Sequence, residues 1–164
     1  NFQPEDMHRL AELDISANVQ PGHITLDPGG PERDLGMKRV PYMWPFKTLA
    51  DLGTHVSFGT DSPVVDVNSM GVLYTAVTRK DQYSHEPLGG WLPEERLSMS
   101  QAIRNYTYGS AYACSREKEV GSLAVGMKAD IAVCDHNLLE AEDEEILDTK
   151  VLATFTGGRL IFER

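Results

Sequence analysis

The sequence predicts an α/β chain: the C-terminal part of a parallel α/β barrel followed by a small antiparallel β unit. Three observations carry this expectation. From Pro4 to Asp61 the periodicities run helix, strand, loop, helix, strand, which is the order of a parallel sheet with crossover helices. Only two strands occur there, too few to close a barrel or to be covered on both faces. After Glu119 the texture changes to short apolar runs broken by glycine, as antiparallel β structure reads.

Taken in order, Pro4, Glu5 and Asp6 open a helix, since proline suits the first turn and acids complement the dipole; Met7, Leu10 and Leu13 line one face. Ile15, Ala17 and Val19 alternate in a strand that Pro21-Gly22 closes, leaving Gln20 and His23 at its C-terminal end. From Thr25 to Trp44 the chain turns to Gly, Pro and charge, and a loop of this length is functional or mobile rather than filler. Phe46, Leu49 and Leu52 make a short amphipathic helix with Gly53 past its end. Val56 to Phe58 is the second strand. Met70, Leu73, Tyr74 and Val77 mark a helix ending at the basic pair Arg79-Lys80. Gln82 to Pro93 is a second polar loop. Ser98 to Gln101 has capping-box spacing ahead of Ala102, Ile103 and Tyr106. Ser110 to Ala113 is a further helical turn, and Cys114 behind it is expected in the core. Val120–Leu123, Val125–Asp130 and Ile131–Val133 are expected strands, and Val151–Phe155 with Arg159–Phe162 a hairpin. The boundary between the two parts is expected between residues 118 and 119.

Composition narrows the function classes. An apolar fraction of 41% and a charged fraction of 24% are those of a soluble globular protein. A net charge of −10 argues against a nucleic-acid partner, whose phosphates call for clustered Lys and Arg. No run of about eighteen apolar residues and no basic-then-apolar leader is visible, so neither a membrane span nor a secretory signal is read. The acidic stretch Glu140 to Glu145 reads as a solvated face or the start of a helix. Cys114 and Cys134 give neither a disulfide framework nor a zinc spacing, and a cytoplasmic setting is the default.

The chemistry centres on His55 to Val64. The apolar strand Val56–Phe58 runs into a tight turn expected at Gly59, which delivers Asp61 at the strand's C-terminal end, where α/β proteins build their sites. A carboxylate so placed suits a metal or general-base role. It also suits an ordinary turn, in which the side chain accepts backbone N–H bonds.

Several motifs together resemble the C-terminal part of the amidohydrolase superfamily, in the branch of N-substituted formamide deformylases. They are Val19-Gln20-Pro21, Phe58 to Val64, Ala76-Val77-Thr78-Arg79, Gly121-Ser122-Leu123 with Gly126, Lys128, Ala129 and Asp130, and Val151 to Thr154 with Gly157-Gly158. The resemblance implies a TIM-like metal-dependent hydrolase barrel, with residues 1–118 as its last two strands and helices. Residues 119–164 then belong to a small composite β-sandwich. It implies hydrolysis of a C–N bond in a small amide, formamide or cyclic amide. Asp61 matches the aspartate that serves such proteins as metal ligand or general acid/base. A divalent metal, commonly zinc, brings the pKa of its bound water to ~7 and polarises the carbonyl. The family's His-x-His pair, bridging group and later histidines have no match in this chain. One candidate ligand remains where about three are needed, so the resemblance implies no metal on this chain alone and no activity without the rest of a parent protein.

Other candidates carry paired readings. His23 faces the site and binds substrate or metal, or is a hydrogen-bonded loop residue. Gln20 shares its strand end. Arg79 holds a substrate carboxylate or caps its helix. Trp91 lines a pocket or anchors its loop. His8, His55 and His85 are read as surface or structural, and His136 as remote. The rival to the enzyme is a non-catalytic, self-associating module without metal. Open sheet edges demand a partner in either case, a second copy of the chain or a missing N-terminal portion.

Overall fold

Buried Ala17 and Val19 flank exposed Asn18 in strand β1 (Ala17–Val19), whereas all three residues of β2 (Val56–Phe58) are buried. The computed structural model, which describes residues 1–164, pairs the two in parallel, with Asn18 opposite Ser57 and Val19 opposite Phe58. Ahead of them a 3₁₀ turn, Pro4–Asp6, leads into α1 (Met7–Glu12). Met7 is buried but Leu13 is not. Asp14 turns left-handed and the Ile15 N–H bonds back to Leu10 O, so Ile15 closes the helix and the strand begins two residues later than its alternation suggests.

The stretch from Thr25 to Trp44 has more order than its composition shows. Pro21–Thr25 is a 3₁₀ turn, α2 (Gly30–Leu35) follows, and Val40–Tyr42 is a second 3₁₀ turn. Each carries proline in its first positions, and each is too short to print a period. The helices α3 (Phe46–Asp51) and α4 (Ser69–Thr78) lie where expected, α4 capped by Asn68 accepting from the Met70 N–H. In α5 (Met99–Arg104) the capping box of Ser98 and Gln101 is complete. The chain continues through one π-helical turn, Asn105–Gly109, into α6 (Ser110–Ala113). Gly109 is where this rod crosses β2: a Cβ there would lie 2.1 Å from Val56 O. Cys114 is exposed rather than in the core, because α6 stops and the backbone reverses at Ser115.

The second part departs from expectation between Val120 and Asp130. No strand forms there. Gly121 and Gly126 take φ of +90° and +93°, turn bonds such as Lys128 N–H to Glu119 O close the segment, and Leu123 and Val125 stand in solvent. Apolar β-formers make a strand only where a neighbouring strand accepts them. The sheet proper is β3 (Ile131–Cys134), β4 (Val151–Thr156) and β5 (Arg159–Glu163), antiparallel in that order. Its hairpin turns on Gly157 and Gly158, both at positive φ. Between β3 and β4 the acidic stretch starts α7 (Asp143–Asp148), where Glu142 and Glu145 form a capping box. Ile146 of α7, 2% exposed, sits in the same core as Phe46, Leu49, Phe58 and Tyr74, so one core spans the two parts. No helix is long and apolar enough to cross a membrane.

Candidate functional site

Asp61 stands three residues past β2 with φ +58°, and its carbonyl accepts the Val64 N–H. The reversal expected at Gly59 falls on the aspartate itself; Gly59 is not among the positive-φ glycines. Aspartate tolerates this left-handed conformation better than most residues. The turn leaves its carboxylate 59% exposed.

His23 approaches from β1. Pro21 starts the 3₁₀ turn directly after the strand, and Gly22 lets that turn lie against Val65, where a Cβ would be 2.8 Å from Cγ1. The imidazole is 21% exposed and its Nε2 is 3.7 Å from Asp61 Oδ2. That is too far for a hydrogen bond, and this Nε2 is buried without a partner.

A polar row continues behind the pair. Gln20 Nε2 donates to Asn18 Oδ1 at 2.9 Å, and Asn18 Nδ2 donates to Ser57 Oγ at 3.0 Å across the parallel register. Asn18 and Ser57 escaped the sequence reading. Their signal was present: a polar residue at the middle of each apolar strand, on the face opposite Ala17 and Val19.

Arg79 and Trp91 lie apart from this pair. Arg79 adopts φ +61° at the end of α4 and is wholly buried; its Nε donates to Trp91 O at 2.9 Å and its Nη1 to Trp44 O at 3.0 Å. Burial draws the guanidinium pKa down to about 10, against the opposing pull of Glu95 and Glu94. Arg79 thus ends α4 and braces both tryptophans through their carbonyls. The Trp91 indole N–H donates to Glu32 Oε1 at 2.7 Å, anchoring the loop, and its ring walls a cleft of about 460 Å³ with Thr25, Asp81 and Pro87.

A third tie joins the same two loops, Thr25 Oγ1 donating to Asp81 Oδ2 at 2.9 Å. Burial pushes the Asp81 carboxyl up, but bonds from Ser84, Thr25 and Tyr83 together hold it below its ordinary 3.8. Of the other histidines, His55 stacks on Tyr112 at 3.7 Å, a packing role.

His23 offers an unpartnered nitrogen and Asp61 an open carboxylate, but nowhere do three or more His, Cys, Asp or Glu side chains come together. Two ligands fall short of the three protein ligands that a catalytic zinc site uses, so this chain's residues do not by themselves complete such a site. What they do form is an exposed carboxylate beside an imidazole at the C-terminal ends of two adjacent parallel strands, suited to moving a proton.

The chain is similar to known proteins over most of its length. The profile of the Amidohydrolase family matches residues 2–162. Protein LONG AFTER FAR-RED 3 of Arabidopsis thaliana is 30% identical over 164 residues, 99% of this chain and 27% of that protein. N-substituted formamide deformylase of Arthrobacter pascens is 30% identical over 122 residues, 74% of this chain and 22% of its own length. The chain thus spans about a quarter of the curated relatives it matches. Among solved structures, an uncharacterized metal-dependent hydrolase from Pyrococcus horikoshii shares 28% identity at a TM-score of 0.75, over 86% of this chain and 28% of that one. Atrazine chlorohydrolase of Arthrobacter aurescens, complexed with zinc, shares the fold over 99% of this chain and 34% of its own, at a TM-score of 0.67 and 22% identity.

Proposed function

Because the chain belongs to the amidohydrolase family, we propose that it is the C-terminal segment of a metal-dependent amidohydrolase that hydrolyses the C–N bond of a small amide, formamide or cyclic amide. In this reading residues 1–118 supply the last two strands of a TIM-like barrel, and residues 119–164 part of a composite β-sandwich. The observation that carries it is the approach of His23 to Asp61, 3.7 Å apart at the C-terminal ends of β1 and β2, where barrel enzymes assemble their sites. The name of the deformylase relative supports the formamide class, and that of the Pyrococcus hydrolase supports a metal.

Asp61 takes the proton of the attacking water and returns it to the leaving nitrogen. His23, whose Nε2 is free, hydrogen-bonds the substrate or joins Asp61 as a ligand. Gln20 orients substrate from the end of β1. Trp91 walls the neighbouring cleft, and Arg79 acts through Trp91 by bracing it. A divalent metal, zinc in the first instance, would polarise the carbonyl, with its remaining ligands drawn from outside this chain.

The test is Asp61→Asn in the intact protein, assayed for amine release from a panel of N-substituted formamides and cyclic amides. Asparagine keeps the left-handed turn. The expected loss in kcat is about 10²–10⁴-fold with an unchanged circular dichroism spectrum. Activity equal to that of the parent would sink the assignment of Asp61.

The apolar side chains exposed on β5 favour one second reading, a non-catalytic module that associates with itself. Elemental analysis of the intact protein separates the two. Stoichiometric metal lost in Asp61→Ala supports the enzyme, and no metal in either form supports the module.

A further inference from the structure

The residue after His23, Ile24, opens a cleft of about 460 Å³ between the loop after β1 and the loop after α4. Ile24, Pro28, Pro31, Pro87 and Trp91 make most of its wall carbon. Volume and lining are those of a small-molecule site, and such sites are few per protein. The Trp91 ring is set before any ligand arrives. The Arg79 guanidinium stands 5.3 Å from its centroid, Trp44 meets it edge-on at 5.6 Å, and Glu32 holds the indole N–H. The bonds of Thr25 to Asp81 and of Glu32 to Trp91 fix the distance between the two loops, so the cleft is preformed.

The polar side chains of the lining are already engaged. Asp81 Oδ1 accepts from the Tyr83 N–H, the Ser84 N–H and the Ser84 hydroxyl at 3.1, 2.7 and 3.0 Å, and its Oδ2 from Thr25. Glu86 Oε2 takes the Leu88 N–H at 2.8 Å, and Asp27 Oδ2 takes the Arg33 guanidinium at 2.8 Å. A ligand group that makes no hydrogen bond leaves all of these intact, whereas a polar one has to compete with them. No Lys, Arg or His lines the cleft beside Asp27, Asp81 and Glu86, so an acidic ligand group is repelled.

We infer that this cleft is the subsite for an apolar aromatic ring, packed on Trp91 between the proline walls, and that it receives the ring-bearing arm of the substrate. The second half rests on the proposed amidohydrolase activity; the ring site itself does not. Contact with an aromatic side chain is what separates such a ring from an alicyclic one of like bulk. An acid group on the ring would lie among the carboxylates of the lining.

The experiment is a ligand-observed NMR titration of the intact protein with benzyl alcohol, cyclohexylmethanol and para-(hydroxymethyl)benzoate, none of which has a C–N bond to hydrolyse. Saturable binding of benzyl alcohol is expected, about two- to tenfold tighter than that of the alicyclic alcohol. The benzoate should bind about two- to fivefold more weakly than benzyl alcohol. Trp91→Leu should erase the preference for the aromatic ring. Loosened loops would weaken both alcohols alike, so their ratio isolates the contact with the indole. Glu86→Gln, at an exposed position, should narrow the gap to the benzoate. No saturable binding, equal affinity for the two alcohols, a ratio unchanged in Trp91→Leu, or a benzoate bound as tightly as benzyl alcohol would overturn the site. Binding is read here rather than turnover, so the result is separate from that of Asp61→Asn: full activity there with ring binding intact removes Asp61 and keeps the cleft.

Discussion

Arg79 shows how far a side chain can be known by type before its role is known. Its basic charge after an apolar helix was legible as a helix end. Nothing in the sequence says that the guanidinium folds inward onto the carbonyls of Trp44 and Trp91, because those partners lie 35 and 12 residues away. Asp61 was legible, since strand, glycine and carboxylate follow one another within the chain. Its pairing with His23 was open, since it depends on the register between two strands. Asp81, unremarked in the sequence, carries a pH prediction. Its carboxyl titrates below 3.8 in the folded protein, so its contribution to stability is fully present above that value and is lost as pH falls through the lower folded value. Asp81→Asn should therefore lower the thermal midpoint at neutral pH. The gap to the parent should narrow below about pH 4, as scanning calorimetry across pH would show.

Elements were legible where their signals are local. The capping box of α5 and the glycine hairpin between β4 and β5 each lie within a few residues, and each formed as read. Val120 to Asp130 misled because a strand is a contract between two segments, and only one of them can be read. Ser98→Ala tests the local kind. It removes the acceptor for the Gln101 N–H at the start of α5 and should cost about 1 kcal/mol in urea unfolding, with little change in the denaturant slope. A loss of several times that size would mean that Ser98 also supports the turn through Ser100, whose hydroxyl it meets at 3.1 Å.

At the scale of the molecule, the small sheet is unfinished. Leu160, Ile161 and Phe162 are 45%, 53% and 44% exposed on successive residues of β5, so apolar side chains point to solvent on both faces of one strand. Contiguous apolar surface of this kind marks an interaction face. The chain studied by itself should associate with rising concentration in sedimentation velocity, and Ile161→Lys should shift it toward the monomer. The loops around α4 are tied together. Thr25 to Asp81, Glu32 to Trp91 and Arg79 to Trp44 lace the loop after β1 to the loop after α4 at three points. Loops laced this way do not breathe one at a time: whatever frees one frees the other, and His23 loses its footing in the same event. Opening either loop thus breaks bonds that the other holds, and Trp91→Ala should raise amide exchange in Thr25 to Trp44 as well as in its own loop.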